Sequence, residues 1–312
     1  MHVLVVTAVA AERDAVTASA APRRPERHPD RQPNQPPERQ TLPGGYELHR
    51  VTLPPDGNRD GNGNKNGAPS GKPTLTLDVL AAGVGPAAAA TGTATALTAA
   101  AYASADGRTP PYDLVISTGI GGGFVHPAAA TGVAGNTTPT PTAEAPLVIA
   151  DEITAADLGA ETPTGFLPVT DLGFGTVTHR PPADLVAAIA AATGGRRGTV
   201  LTGSTVTGSA ARAAELAERH PRALAEAMEG FGVAEAAAAH GVPVCEIRAI
   251  SNAVGPRDRA AWRIGEALAA LTTAFAALPQ ALPPRDGPQA LPPRNDPRHR
   301  PQNGPHDAPR PD

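Results

Sequence analysis

Four stretches of the chain cannot join a packed interior, and they frame the rest. Residues 19–43, 54–73, 127–145 and 279–312 are rich in Pro, Gly, Asn, Thr and charge and carry no apolar periodicity. They hold too little apolar surface to offset the entropy of ordering them. The last contains 11 of the 36 prolines and repeats Leu-Pro-Pro-Arg at 282–285 and 291–294, which favours an extended, solvated tail. The other three read as disordered insertions within one domain, residues 1–278, followed by the disordered tail 279–312. The remainder, roughly two thirds of the chain, is a single domain of ordinary size.

Within that domain short apolar runs alternate with Ala-rich periodic segments. Residues 2–8, 46–53, 74–82, 113–119, 145–153, 198–203 and 242–251 read as strands, several buried on both faces. Residues 86–103, 208–219, 223–240 and 258–277 read as helices. The alternation predicts an α/β fold with a mixed, mostly parallel central sheet flanked by helices. The stretch 54–73 then joins strands 46–53 and 74–82 as a long hairpin, tolerable because closure entropy grows slowly with length.

Several function classes are excluded by what the chain lacks. A formal net charge of −4 offers no basic surface for nucleic acid. The lone Cys245 cannot build a disulfide framework and suits a reducing, cytoplasmic setting. The opening run MHVLVVTAVAAERD is too short to span a bilayer and runs into charge, so it reads as neither signal peptide nor membrane helix. The nine histidines show no pair at metal-ligand spacing. The only lysines, Lys65 and Lys72, lie in an insertion, and no P-loop or G-x-S-x-G elbow is present. No metal or cofactor is implied.

What remains is a small set of polar residues at strand ends. Gly-rich turns follow two strands, Ala82-Gly83-Val84-Gly85 and Ser117 through Gly123, and read equally as tight turns or as places where a ligand comes close to the backbone. Glu12 follows the first strand in a segment that should turn helical, where it either favours the helix dipole or acts on a ligand. Met228-Glu229-Gly230 falls inside the expected helix 223–240. A Gly pair there costs roughly 1 kcal/mol per residue relative to Ala, so close approach of a ligand or another chain is a reason for it. Ser251-Asn252 ends the most apolar strand, as a turn residue or as part of a site.

The order of these pieces resembles the nucleoside phosphorylase and nucleosidase superfamily. The blocks DEITAADLGAETPTGFLPV (151–169), TGSTVTGSAARAAEL (202–216) and AMEGFGVAEAAAAHGVPVCEIRAISNAVG (227–255) carry the resemblance, and the last is most similar to the futalosine hydrolase family of the futalosine route to menaquinone. The resemblance implies that Glu12 activates the hydrolytic water and that Glu229 accepts the ribose hydroxyls, with Met228 packing on the sugar. It places Gly83, Ser204, Thr205 and Val206 around the substrate. Thr205 and Val206 stand where adenine nucleosidases have a base-stacking aromatic, leaving Phe231 or Phe124 to supply the stack. Asn252 stands where those enzymes have an aspartate. Its NH₂ can donate to O6 of a 6-oxopurine and its C=O can accept from N7–H, so it points to hypoxanthine or guanine as leaving base.

Cleaving an N-glycosidic bond builds positive charge on the ribosyl ring, which needs an electron-rich group near C1′. Phosphorolysis needs cationic donors around phosphate. The glycines at 83, 85 and 119–123 are expected to have no basic residue beside them, so water is expected as nucleophile. The sequence thus predicts a homo-oligomeric N-ribosidase acting on a small nucleoside, with no nucleic-acid or membrane partner. A purine nucleoside phosphorylase, a methylthioadenosine/S-adenosylhomocysteine nucleosidase and a non-catalytic nucleoside-binding protein are the alternatives.

Overall fold

The strand β1 (His2–Thr7) is buried at all six positions, as expected of a strand with neighbours on both sides and helices on both faces. A computed structural model of the protein describes residues 1–20, 37–53, 74–105, 112–125 and 147–282. The chain continues through α1 (Ala10–Thr17), β2 (Glu38–Thr41), β3 (Glu47–Leu53), β4 (Leu75–Ala81), α2 (Pro86–Ala105) and β5 (Leu114–Gly123). Then come β6 (Leu147–Ala155), the short β7 (Gly159–Thr162), β8 (Gly165–Pro168) and β9 (Thr178–His179), α3 (Ala183–Thr193), β10 (Arg196–Thr202) and α4 (Ala210–Arg219). It finishes with β11 (Ala223–Ala227), α5 (Gly230–Ala239), β12 (Val244–Ala253) and α6 (Ile264–Ala281).

The main sheet runs β11-β10-β6-β12-β5-β1-β4-β3-β2, and β11 also pairs with β5. That extra pairing closes five strands on one another. β1, β4, β5 and β12 run parallel, as do β6, β10 and β11, while β12–β6, β11–β5, β3–β4 and β2–β3 are antiparallel. The sheet is therefore mixed, as the alternation predicts, and β3 and β4 pair antiparallel with Leu53 opposite Leu75. On one face α6 buries Ala267, Leu271, Ala274, Phe275 and Leu278, the i, i+3, i+4 stripe of a core-facing helix. Each fully buried Leu or Phe there is worth about 1.5–3 kcal/mol. No described helix is long and apolar enough to cross a membrane.

The structure departs from the sequence reading at identifiable places. Residues 117–123 form no turn but extend β5 to Gly123, because these glycines let neighbouring groups press on the strand: a Cβ at Gly123 would lie 2.8 Å from Ile250 Cγ2. The expected helix 223–240 splits into β11 and α5. Ala favours helix, but all five β11 residues are buried between β10 and β5, and tertiary pairing overrides propensity. The two glycines of the Met-Glu-Gly segment make room within the chain: side chains at Gly230 and Gly232 would collide with the Glu246 carboxylate and the Pro86 carbonyl. Helix α3, unanticipated after Pro181-Pro182, also packs on α6. Helix α6 starts at Ile264 rather than 258 and runs past 278, with Pro279, Ala281 and Leu282 buried. Strand β2 falls within the stretch 19–43. The rest of that stretch from 21 to 36, residues 54–73 and 127–145, and the tail from 283 lie outside the described residues.

Candidate active site

The carboxyl ends of β1, β4, β5, β11 and β12 converge on a cleft of about 250 Å³, the end of a parallel sheet at which α/β folds bind ligands. It is lined by Glu12 from α1, Val84 after β4, Ile120 to Gly122 of β5, Glu226 to Glu229, and Ser251 to Arg257 with Trp262.

Glu12 is 4% exposed and bridges two elements. Its Oε2 accepts from the backbone N–H groups of Ala8 (3.0 Å) and Val9 (3.3 Å), and so caps its own helix. Its Oε1 accepts from Ile120 N–H at 2.9 Å. Glu12 thus caps α1 and also lines the cleft. Gly119 is what lets it reach β5, since a Cβ there would lie 2.6 Å from Glu12 Oε1 and 2.9 Å from Arg248 Nη1.

Arg248 is fully buried and forms the hub below the cleft. Its Nε donates to Glu246 Oε1 (2.8 Å), Nη1 to Glu229 Oε2 (3.1 Å) and Nη2 to Ser117 Oγ (3.1 Å). Burial opposes its charge, but the carboxylates of Glu246, Glu229 and Glu12 outweigh burial and raise its pKa. Burial also raises the pKa of Glu246, against the opposing pull of Arg248. A cation does stand beside Gly119, contrary to the sequence reading. It is, however, already bound by two carboxylates. Glu229 takes two further donors, Gly85 N–H on Oε1 (3.2 Å) and Met228 N–H on Oε2 (3.3 Å). The Gly83-Val84-Gly85 turn therefore serves the site by orienting Glu229, with positive φ at Gly83 (105°) and Gly85 (93°) that a side chain would strain.

Asn252 accepts from Ser251 Oγ (2.8 Å) through Oδ1 and donates to Ala253 O (2.9 Å) through Nδ2. One carbonyl lone pair and one amide proton remain for a ligand. Of the residues named from the sequence, Glu12, Val206, Met228, Glu229 and Asn252 meet in this cleft. Gly83 lies beside it, its N–H on Ala8 O. Ser204 and Thr205 are exposed and outside the lining, Ser204 N–H being held by Asp157 Oδ2 (2.6 Å). Phe231 packs in the core against His179, centroids 5.4 Å apart, and Phe124 packs with Leu201 and Leu216. Neither lines the cleft. Among the described residues the aromatic that does is Trp262, with the Arg257 guanidinium 5.4 Å from its ring centroid. Its signal in the sequence is that it is the single tryptophan, in a charged segment that reads as helix. Cys245 is buried outside the cleft lining, and burial pushes its thiol up to about 12, which disfavours the reactive thiolate.

No protein-family model matches the chain. It is similar to the futalosine hydrolase of Streptomyces coelicolor, 61% identical over 283 residues that span 90% of this chain and 97% of that protein. The futalosine hydrolase of Acidothermus cellulolyticus is 44% identical over 217 residues, 67% of this chain and 77% of that protein. Among solved structures, a futalosine hydrolase mutant of Helicobacter pylori superposes with a TM-score of 0.60 at 16% identity, covering 90% of this chain and 100% of its own. A methylthioadenosine/S-adenosylhomocysteine nucleosidase from S. pneumoniae with a transition-state inhibitor gives 0.59 at 18% identity, covering 89% of this chain and 100% of its own. At such identities the structural likeness speaks for the fold.

Proposed function

Because the chain belongs to the futalosine hydrolase family, we propose that it hydrolyses the N-ribosidic bond of futalosine, releasing hypoxanthine and dehypoxanthine futalosine on a route to menaquinone. Glu12 takes a proton from water as the water oxygen bonds to C1′. The C1′–N9 bond breaks with its electron pair going to the purine, which gains a proton at N7 from solvent. Glu229 accepts the ribose hydroxyls, and its charge, with that of Glu12, favours the positive ring of the transition state. Met228 packs on the sugar. Asn252 offers its free N–H to O6 and its free lone pair to N7–H.

The observation that carries hydrolysis over phosphorolysis is the saturation of Arg248. With Glu229 and Glu246 on its guanidinium and Glu12 close by, it has no charge left for a phosphate dianion, which two buried carboxylates would repel. The domain spans the chain up to the end of α6, and the protein acts in the cytoplasm as a homo-oligomer without metal or cofactor. The deciding assay offers futalosine, inosine and methylthioadenosine to the purified protein, each with and without phosphate, and follows free base. Hypoxanthine from futalosine at a rate indifferent to phosphate is expected. Phosphate-dependent turnover would make the protein a phosphorylase, and preferential release of adenine from methylthioadenosine would reassign its substrate.

A further inference from the structure

One carboxylate of the cleft has no part in the chemistry above. Glu226 is 8% exposed and lines the cleft, and among the described residues no arginine or histidine pairs with it. Its partners are neutral: Thr207 N–H on Oε2 at 3.0 Å and Thr207 Oγ1 on Oε1 at 2.5 Å. A carboxylate accepts about four hydrogen bonds, so two uses are left over. An acid desolvated this far, without a cation, costs stability unless something else uses it.

Its position says what that use is. Glu226 of β11 stands opposite Gly122 of β5, and Asn252 of β12 stands opposite the same Gly122 from the other side. Directly paired residues share a face of the sheet, so Glu226 and Asn252 project together, two strand spacings or roughly 10 Å apart at their backbones. Between them is a glycine. A Cβ there would lie 3.0 Å from Val254 Cγ2 and 3.4 Å from Asn252 Nδ2. The room over Gly122 is thus taken by Val254 and the Asn252 amide, and that amide and the Glu226 carboxylate both line the cleft beyond it.

We propose that Glu226 and Asn252 together read the edge of a 6-oxopurine, with Glu226 accepting the N1–H while Asn252 engages O6 and N7, and that Glu226 is the residue that rejects 6-aminopurines. The proposal deepens the futalosine reading and rests on it for the choice of base. Hypoxanthine carries a proton on N1, which a carboxylate accepts. Adenine carries a lone pair on N1, which faces a carboxylate with like charge density and no proton between them. Mispaired buried groups of this kind change relative affinity by about one to two decades.

The test separates base reading from simple support of the 203–209 loop through Thr207. For the parent, Glu226→Gln and Thr207→Val, kcat/KM is measured with futalosine and its 6-amino analogue. Glu226→Gln keeps an acceptor for Thr207 but presents an NH₂ that can donate to adenine N1. It should move the ratio toward the 6-amino substrate by about 10- to 100-fold, while Thr207→Val should lower both values in proportion. Equal losses on both substrates in Glu226→Gln would leave Glu226 a loop support only and overturn the proposal. A second arm needs no variant and no turnover: binding of hypoxanthine, 1-methylhypoxanthine and adenine to the parent protein. Hypoxanthine should bind at least tenfold tighter than either. Equal binding of the 1-methyl compound overturns the N1–H contact, whether or not futalosine is cleaved. Selective binding without futalosine cleavage would instead leave the contact standing and remove the catalytic reading.

Discussion

Two buried ionic clusters lie at different depths along the central sheet, and only one of them carries charge in excess. Farther toward the amino-terminal end, midway along β4, Asp78 is 1% exposed and is surrounded by donors. His2 Nε2 is 2.9 Å away, Arg50 contributes Nε at 2.7 Å and Nη2 at 2.9 Å, and Tyr112 Oη is at 2.8 Å. Burial pushes against its charge, but those hydrogen bonds win and hold its carboxyl well below the usual range. At the carboxyl-terminal end one guanidinium, Arg248, faces three carboxylates. The first cluster satisfies its acid completely and has nothing left to offer. The second leaves negative charge unspent at the floor of a cleft, which suits it to a cationic transition state. Burial of charge alone therefore does not mark a site; an imbalance opening onto a cleft does.

The sharpest way to break the comparison is Glu12→Gln. Loss of the general base should cost on the order of 10² to 10⁴ in rate, with the fold and nucleoside binding largely kept, measured by turnover and by ligand-induced change in Tm. Turnover equal to the parent would remove Glu12 from the mechanism. Next comes Arg248→Met, which strands Glu246 and Glu229 without a cation. Breaking one partner of a buried pair costs about 3–5 kcal/mol, to be read from urea unfolding, with kcat falling as Glu229 loses its anchor.

Asp78→Asn belongs to the structural cluster and should behave differently. It should lose about 1.5–3 kcal/mol of stability, the usual worth of a charged hydrogen bond, while kcat/KM stays at the parent value. A fall in kcat/KM beyond the stability loss would couple the two clusters. The smallest effect is a pH dependence. Because folding lowers the pKa of Asp78, its contribution is present above its ordinary pKa of about 3.9 and is lost as pH falls below that toward the folded value. The stability gap between parent and Asp78→Asn should thus be widest near neutral pH and narrow by pH 3. A gap that widens on acidification would contradict that sign.

The same contrast explains what could be read from the chain before its structure. The strands of the core were legible because runs such as Val3-Leu4-Val5-Val6 are apolar without interruption. Glu12, Glu229 and Asn252 were legible because short polar segments ending such runs resemble a known order of motifs. Arg248 is different: Glu246, two residues before it, shares its strand face, but nothing in a strand sequence says that the buried arginine will also meet Glu229 after β11. Glu226 was hidden for a different reason: an Ala-rich segment reads as helix, and only its pairing with β10 and β5 makes it a strand that points a carboxylate into the cleft. Trp262 falls in a segment that reads as helix from 258, whereas α6 begins two residues after it.

The hairpin of β3 and β4 has a practical consequence. Leu53 and Leu75 are paired partners, so the two points from which residues 54–73 depart are about one strand spacing apart, roughly 5 Å, and they lie at the end of β4 away from the cleft. Twenty residues can be exchanged there for a two-residue turn, a fluorescent reporter or a purification handle without asking the catalytic end to adjust. The carboxyl terminus offers a second port only beyond Leu282, which is buried. A truncation that respects that limit should yield a shorter protein that crystallises with its cleft intact.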